Sequence, residues 1–146
     1  MIVDYVLDAG KCLDAFSQKN QEAGAVVSFS GQVRAEGKTE TVLSLFLQAY
    51  EPLTRENIKD KVLEAKTRWS LDDLQVLHRI GEIPVGDTIV FVAAASKHRR
   101  EAFEAVDFLM DYLKTEAIFW KKEITMNDSK WIEPREKDYL DAKRWI

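Results

Sequence analysis

The segment Ser96-Lys97-His98-Arg99-Arg100 places three formal cations and a histidine at the start of a predicted helix. A helix N-terminus already carries about half a positive charge from its unpaired N–H groups and aligned peptide dipoles. Additional cations there are unfavourable by about a few tenths of a kcal/mol each, unless an anion such as phosphate binds. The segment therefore indicates either an anion site or a basic patch that is solvated or paired with carboxylates elsewhere.

A second group of cations lies in the stretch DYLKTEAIFWKKE. Lys114 ends the predicted helix, where a cation suits the negative end of the helix dipole. On the strand predicted to follow, Phe119, Lys121 and Glu123 share one face and Lys122 lies on the other. A lysine between large aromatic residues can be desolvated, which lowers its pKa toward the range needed for proton exchange or nucleophilic attack. Lys121 is therefore a candidate catalytic residue, and a plain surface lysine is the alternative.

Arg34 follows a predicted strand and precedes Ala35–Glu40, a polar, glycine-containing segment that predicts a mobile loop. An arginine in this position is typical of phosphate or carboxylate clamps, and equally of ordinary surface charge. The chain has no phosphate-binding glycine loop, no GxGxxG motif and no nucleophile elbow. With only two histidines and the single Cys12, we predict no metal site and no cofactor. We expect Cys12 to pack in a helix, although a persulfide there is conceivable.

The composition limits the classes of protein to consider. The 146 residues fit one domain, and the net charge of −4 argues against a nucleic-acid-binding protein. No apolar run approaches the roughly 18 residues of a membrane span, and the N-terminus lacks the features of a secretion signal. The single cysteine suits a reducing compartment, so we expect a cytoplasmic protein.

Hydrophobic periodicity predicts a mixture of strands and helices without regular βαβ alternation, which is the α+β class. We predict strands at Ile2–Leu7, Gly24–Val33, Thr41–Tyr50, Leu74–Ile80, Thr88–Ala95 and Phe119–Thr125. We predict two main amphipathic helices, at Thr54–Trp69 and at Lys97–Glu116 with Ser96 as its cap, and short helices at Lys11–Gln18 and Glu136–Arg144. Gly81 to Asp87 is expected to form a turn.

Four stretches resemble the catalytic (large) subunit family of molybdopterin synthase. They are GAVVSFSGQVR (Gly24–Arg34), VLHRIGEIPVGDTIVFVAAASKHRREAFEA (Val76–Ala105), MDYLKTEAIFWKKE (Met110–Glu123) and KWIEPRE…AKRW (Lys130–Trp145). The KHRREAFEA and DYLKTEAIFWKKE segments are specific to the family in their order and spacing. Gln48 stands where an acidic residue is expected, so local charge or partner contact there differs from the family pattern.

The resemblance implies an α/β-hammerhead-like single domain over residues 1–146, with mixed, mostly antiparallel strands. It implies a sulfurtransferase that converts cyclic pyranopterin monophosphate into the dithiolene of molybdopterin. The sulfur arrives as a thiocarboxylate on the Gly-Gly C-terminus of a small ubiquitin-like subunit. It also implies two catalytic lysines, Lys114 and Lys121, and a substrate-binding set consisting of Arg34, His98, Arg99, Arg135, Phe29, Met110 and Lys122.

The length of the predicted helix has a consequence for the assembly. His98 and Lys114 are sixteen residues apart, which separates their backbones by about 24 Å at about 1.5 Å per residue. If both contact one small substrate, the helix start must come from a second protomer. This predicts a homodimer with two composite sites, which agrees with the heterotetramer that the family forms with its small subunit.

Two other functions are compatible with the same basic residues. A non-catalytic phosphate- or nucleotide-binding module would need only the charge of Lys114 and Lys121, so arginine would replace either lysine without loss. A purely structural partner of a ubiquitin-like protein would bind a Gly-Gly tail and have no affinity for small molecules.

Overall fold

The computed structural model of the chain describes residues 1–37 and 40–146, so two residues of the expected 35–40 loop, Lys38 and Thr39, lie outside the described residues. The strands are β1 (Ile2–Val3), β2 (Ala25–Gln32), β3 (Val42–Ala49), β4 (Asp73–Arg79), β5 (Gly81–Pro84), β6 (Thr88–Ser96), β7 (Phe119–Thr125) and β8 (Ser129–Ile132). The helices are α1 (Ala9–Lys19), α2 (Leu53–Arg68), α3 (Arg99–Thr115) and α4 (Glu136–Ala142), the last followed by a 3₁₀ turn at Lys143–Trp145. The predicted α+β class is confirmed.

The first sheet has the strand order β1-β4-β6-β2 and is antiparallel except for the β1–β4 pair. Its strand β6 is buried on both faces, because successive side chains of a strand point to opposite sides. Val90, Val92 and Ala94 belong to the core cluster that includes the buried face of α3. Phe91 and the remaining alanines pack with Phe16 of α1 on the other side. Burial on both faces explains the uninterrupted apolar run of TIVFVAAA.

The second sheet has the order β5-β3-β7-β8 and is antiparallel throughout. Its inner face carries a small apolar cluster that includes Leu45, Leu47 and Ile83. The chain passes from β4 of the first sheet to β5 of the second through Gly81, whose φ of +89° lies in the region that favours glycine. This turn places the end of β4 beside the inner face of the second sheet.

The two main helices each leave at least one large apolar side chain exposed. In α2, Ile58 and Ala65 are buried, but Leu63 is 53% exposed. In α3, the buried residues are centred on Ala102, Val106 and Leu109, whereas Phe103 is 56% exposed. Thr54, fully buried in the first turn of α2, donates a hydrogen bond of 2.6 Å from its hydroxyl to the carbonyl of Ile118. That bond fixes α2 against the segment entering β7.

Several predicted boundaries were wrong. The first strand ends at Val3 rather than Leu7, and the expected turn after β4 contains the strand β5. The stretch before α4, for which no strand was predicted, contains β8. Ser96 does not cap α3, because it is the last residue of β6 and its hydroxyl donates to the carbonyl of His98. The N-cap position of α3 is His98 itself, without a side-chain capping bond.

The C-terminal turn is anchored on α3 by aromatic and polar contacts. The ring of Trp145 lies 5.5 Å from that of Trp69 and 5.6 Å from that of Phe108, both edge-on. The indole N–H of Trp145 and the Nη2 of Arg144 each donate to one oxygen of Asp111 at 2.6 Å. These contacts hold α4, which immediately precedes the turn, against α3.

Candidate active site

A cavity of about 510 Å³ opens between the inner face of the second sheet, the C-terminal end of α3 and the segment that follows β8. Its volume is in the range of small-molecule sites. Its apolar lining consists of Leu45, Leu47, Ile89, Leu113, Ala117, Phe119, Ile132 and Pro134. Its charged and polar lining includes Gln32, Arg34, Glu36, His78, Lys114, Lys121, Glu123, Glu133, Arg135, Asp138 and Tyr139.

Four cations singled out from the sequence meet in this cavity. Arg34 follows β2, Lys114 lies in the last turn of α3, Lys121 lies in the middle of β7, and Arg135 directly precedes α4. These segments are far apart along the chain, and the two sheets together with the anchored C-terminus bring them into one place. A cavity with four cations can bind a phosphate-bearing anion and stabilise negative charge that develops on it.

Lys121 is the most strongly perturbed of these cations. Its strand neighbours in the register are Leu47 of β3 and Ile132 of β8, both apolar. Burial among such residues, and secondly the positive charge of Lys114, lower its pKa from 10.5 to about 8, against the opposing effect of Asp138 and Glu123. A substantial fraction of Lys121 is therefore neutral near physiological pH, as a proton-transferring lysine requires.

Arg135 and Arg34 present their guanidinium groups in different ways. The Nη2 of Arg135 lies 3.3 Å from a carboxylate oxygen of Asp138, and the same carboxylate accepts the backbone N–H of Arg135 at 2.9 Å. Burial, the largest single effect, raises the pKa of the Asp138 carboxyl, but these hydrogen bonds and the neighbouring positive charges together outweigh it. The pKa of Asp138 therefore lies below its usual value. Within residues 1–37 and 40–146, Arg34 has no ion-pair partner, so its guanidinium is available to a ligand.

The remaining predicted site residues lie outside the cavity of a single protomer. His98 and Arg99 are exposed at the start of α3, the opposite end from Lys114. Phe29 is 40% exposed on β2, an edge strand of the first sheet, and Met110 is a half-buried residue of α3 that packs against the core. Lys122 points to the other face of β7, where its Nζ lies 4.6 Å from the ring centroid of Trp131.

His78 is a cavity residue that sequence reasoning did not select. It lies near the end of β4, only 6% exposed, and its ring stacks on Phe119 with the centroids 4.1 Å apart. Burial, together with the charges of Lys121 and Lys114, lowers its pKa from 6.5 to about 4. The available signal was a histidine followed by an arginine inside the otherwise apolar strand VLHRI, since buried polar residues need a partner or a role.

Three further expectations concern Cys12, a metal site and a membrane span. Cys12 packs beside the cluster around Phe16, and burial, with a smaller effect of Asp8, raises the pKa of its thiol, which disfavours the reactive thiolate. In the part of the chain that the structure describes, no group of three or more His, Cys, Asp or Glu residues is arranged to hold a metal ion. No helix there is both long enough and apolar enough to cross a membrane.

Comparison with known proteins gives consistent matches. The family model described as MoaE protein matches residues 2–116. The molybdopterin synthase catalytic subunit of Escherichia coli is 48% identical over 127 residues, which cover 87% of this chain and 85% of that protein. The solved molybdopterin biosynthesis MoaE protein of Burkholderia ambifaria is 35% identical with a TM-score of 0.82, over 99% of this chain and 95% of that one.

A third similarity, at 24% identity, shows the fold alone. It is to a chain in the protein–protein complex of subunits 1 and 2 of the Helicobacter pylori molybdopterin-converting factor, with a TM-score of 0.78. The match covers 92% of this chain and 90% of that one.

Proposed function

Since the chain belongs to the MoaE protein family of molybdopterin synthase catalytic subunits, we propose that its cavity binds cyclic pyranopterin monophosphate and converts it into the dithiolene of molybdopterin. Family membership makes the chain a sulfur-transferring enzyme subunit of molybdenum cofactor biosynthesis. The sulfur donor in this proposal is the C-terminal thiocarboxylate of a small ubiquitin-like subunit that ends in Gly-Gly.

The observation that carries the proposal is the meeting of Lys114, Lys121, Arg34 and Arg135 in one cavity. Both the phosphate of the substrate and the thiocarboxylate of the donor are anions, and each needs cationic partners where water is partly excluded. The apolar lining suits the ring system of a pterin, and an extended Gly-Gly tail is the least bulky peptide end to enter such a cavity because glycine has no side chain.

Each sulfur delivery has a simple balance of bonds. The thiocarboxylate sulfur attacks a side-chain carbon of the pterin, a carbon–sulfur bond forms, and an oxygen leaves that carbon. The sulfur then links this pterin carbon to the carbonyl carbon of the partner's C-terminus as a thioester. Water cleaves the acyl–sulfur bond, which leaves sulfur on the pterin and a carboxylate on the partner. Two deliveries are required, so the spent partner must dissociate before a fresh one enters.

The two lysines fit different parts of this sequence. Lys121, with its pKa lowered to about 8, exchanges a proton with the leaving oxygen and with the attacking water. Lys114 lies at the end of α3 in the same cavity and pairs with the thiocarboxylate. Arg34 and Arg135 hold the phosphate and stabilise charge as its cyclic ester opens.

Single-turnover conversion of cyclic pyranopterin monophosphate with thiocarboxylated partner tests these roles. We expect Lys121→Ala and Lys114→Ala to slow dithiolene formation by about 100-fold or more, because general acid–base groups contribute roughly that much. Lys122→Ala is the matched control, since Lys122 lies next to Lys121 on the opposite face of β7, and it should react normally.

Arginine substitutions distinguish catalysis from binding alone. Lys121→Arg keeps the charge but removes the proton exchange, because a guanidinium stays protonated. We expect it to remain as slow as Lys121→Ala. Near-normal dithiolene formation by both alanine variants, or full activity of the arginine variant, would contradict the catalytic assignment and favour a phosphate-binding module.

We also propose a homodimer in which each cavity is completed by the partner protomer. The helix α3 spans 17 residues, about 25 Å at about 1.5 Å per residue, so His98 and Arg99 do not reach the cavity that contains Lys114 of the same chain. A two-fold contact through the exposed edge of β2, where Phe29 lies, would present these residues to the other cavity. With a small subunit at each end the assembly would be a heterotetramer. The cytoplasmic location stays a prediction.

A further inference from the structure

The buried histidine of the cavity has a role that the cations do not supply. We infer that His78 binds the substrate as a neutral hydrogen-bond acceptor, receiving at its Nε2 an N–H or O–H donor of the pterin ring system. The inference rests on the proposed function, and it adds a specificity contact to a site otherwise built to recognise anions.

The first support is the tautomer of the imidazole. The Nδ1 of His78 lies 3.0 Å from the backbone carbonyl oxygen of Arg79. A carbonyl oxygen can only accept, so Nδ1 carries the proton and Nε2 of the neutral ring carries a lone pair. The Arg79 carbonyl is held in place by the pairing of β4 with β1, in which Arg79 lies opposite Val3. The protein therefore sets which nitrogen is available to a ligand.

The second support is the state of Nε2 itself. Within residues 1–37 and 40–146, Nε2 accepts no hydrogen bond. In that part of the chain, the side-chain polar atoms that are both fully buried and without a hydrogen-bond partner are Arg79 Nε, Glu101 Oε2 and Tyr112 OH. Nε2 of His78 is not one of them, so it is not sealed from solvent. His78 lines the cavity, and because Nδ1 is bonded to the Arg79 carbonyl, Nε2 is the ring nitrogen left to face it. A donor that enters the cavity can therefore bond to it.

The imidazole of His78 stays neutral beside the cations of the cavity. The charged groups that act on His78 are Lys121 on β7, Lys114 on α3 and the amino terminus at β1, and all three are cations that oppose its protonation. Burial opposes protonation more strongly still. A protonated imidazole would be a fifth cation in the cavity and would repel an N–H donor. The neutral ring accepts one instead.

His78 belongs to an inner wall of the cavity that also contains Phe119, Leu45 and Leu47. The rings of His78 and Phe119 stack with an interplanar angle of 19°. Leu45 and Leu47, buried on β3, belong to the same lining. The stack on Phe119 fixes the plane of the imidazole, so a donor must approach Nε2 in that plane along an apolar wall. The exposed Arg34 and Arg135 lie nearer the solvent, where an anionic group would bind. Reduced pterins carry several N–H donors on the ring edge, and the acceptor on the inner wall is of the matching type.

Binding measurements without the sulfur-carrier partner test the contact directly, since no turnover occurs. Calorimetric titration would compare cyclic pyranopterin monophosphate with inorganic phosphate as the anion-only probe. We expect His78→Phe to weaken binding of the pterin about 3- to 10-fold, as for one neutral hydrogen bond, and to leave phosphate binding unchanged. His78→Gln keeps an acceptor and should stay within about 2-fold of wild type. Arg34→Ala should weaken both ligands.

Nitrogen-15 NMR of histidine-labelled wild-type protein tests the contact without any substitution, in case the variants do not fold. At neutral pH, Nδ1 should give a protonated, pyrrole-type signal and Nε2 an unprotonated, pyridine-type signal. The Nε2 signal should move when the pterin binds. A protonated Nε2, an Nε2 signal unchanged by saturating pterin, or equal losses of pterin and phosphate binding in His78→Phe would overturn the inference. Wild-type protein that does not bind the pterin at all would instead refute the proposed substrate.

Discussion

The protonation of Lys121 is controlled by its surroundings, and replacing Lys114 with methionine tests how. Burial beside Leu47 and Ile132 is the larger cause of the lowered pKa, and the charge of Lys114 is the second. The variant removes the charge and leaves the burial. We therefore expect the pKa of Lys121 to rise from about 8 without reaching the ordinary value.

The magnitude follows from the two contributions. A fall from 10.5 to about 8 corresponds to about 3 kcal/mol in favour of the neutral amine, at about 1.4 kcal/mol per pH unit. Two unit charges that share a cavity repel by on the order of 1 kcal/mol at an effective dielectric constant of about 20, and the charge of Lys114 is a smaller cause of the shift than burial. The Lys114→Met variant should therefore raise the pKa of Lys121 by about one pH unit, and burial should account for most of the rest.

The assay is a pH titration followed by NMR of lysine labelled at Cε and Nζ, with the Lys121 signal assigned from Lys121→Arg. Lys122→Met is the control, because Lys122 lies on the opposite face of β7, and it should leave the pKa of Lys121 nearly unchanged. In wild type about one Lys121 side chain in five is neutral near pH 7.4. A wild-type pKa of Lys121 close to 10.5 would show that burial does not perturb it, and an unchanged pKa in Lys114→Met would show that the charge of Lys114 does not act on it.

Two other predictions concern the assembly and acid stability. Mixing equal amounts of Lys121→Ala and Arg99→Ala protomers should restore about a quarter of wild-type single-turnover activity. Half of the randomly mixed dimers would be heterodimers, and each of these would have one intact composite site out of two. No recovery would place both residues in the same chain's site. Wild-type protein should lose up to about 3 kcal/mol more stability than His78→Gln as the pH falls from about 6.5 to 4. The pKa of His78 is about 4 in the folded protein, against its ordinary value of 6.5, so the neutral histidine contributes its full stability above pH 6.5 and loses it toward pH 4. Equal acid sensitivity of the two proteins in urea titrations would contradict this prediction.

The sequence predicted the parts of the fold that depend on local pattern. The apolar run of β6 and the alternation along β7, which puts Phe119, Lys121 and Glu123 on the cavity face, follow from side-chain direction in a strand. The short strands β5 and β8 were missed because only their pairing with β3 and β7 makes them strands. Their residues, GEIP and SKWI, carry little strand signal of their own.

The candidate site was only partly predictable for a similar reason. The cations were recognised as exceptions to local rules or through family resemblance, but their meeting in one cavity depends on long-range packing of the two sheets and the anchored C-terminus. His78 was missed because its significance depends on contacts that are not local, the stack on Phe119 and the open side of the cavity. Its hydrogen bond to the next residue's carbonyl is local, but its consequence for the tautomer is visible only in the structure.

A crystal structure with cyclic pyranopterin monophosphate bound would test most directly whether the gathered cations form the substrate site. We expect the phosphate to contact Arg34 and Arg135 in the cavity and the pterin side chain to lie within reach of Lys121. We expect His98 and Arg99 of a second protomer to complete the site. Substrate bound elsewhere, or Lys114 and Lys121 turned away from it into solvent, would show that the gathered cations do not form the substrate site.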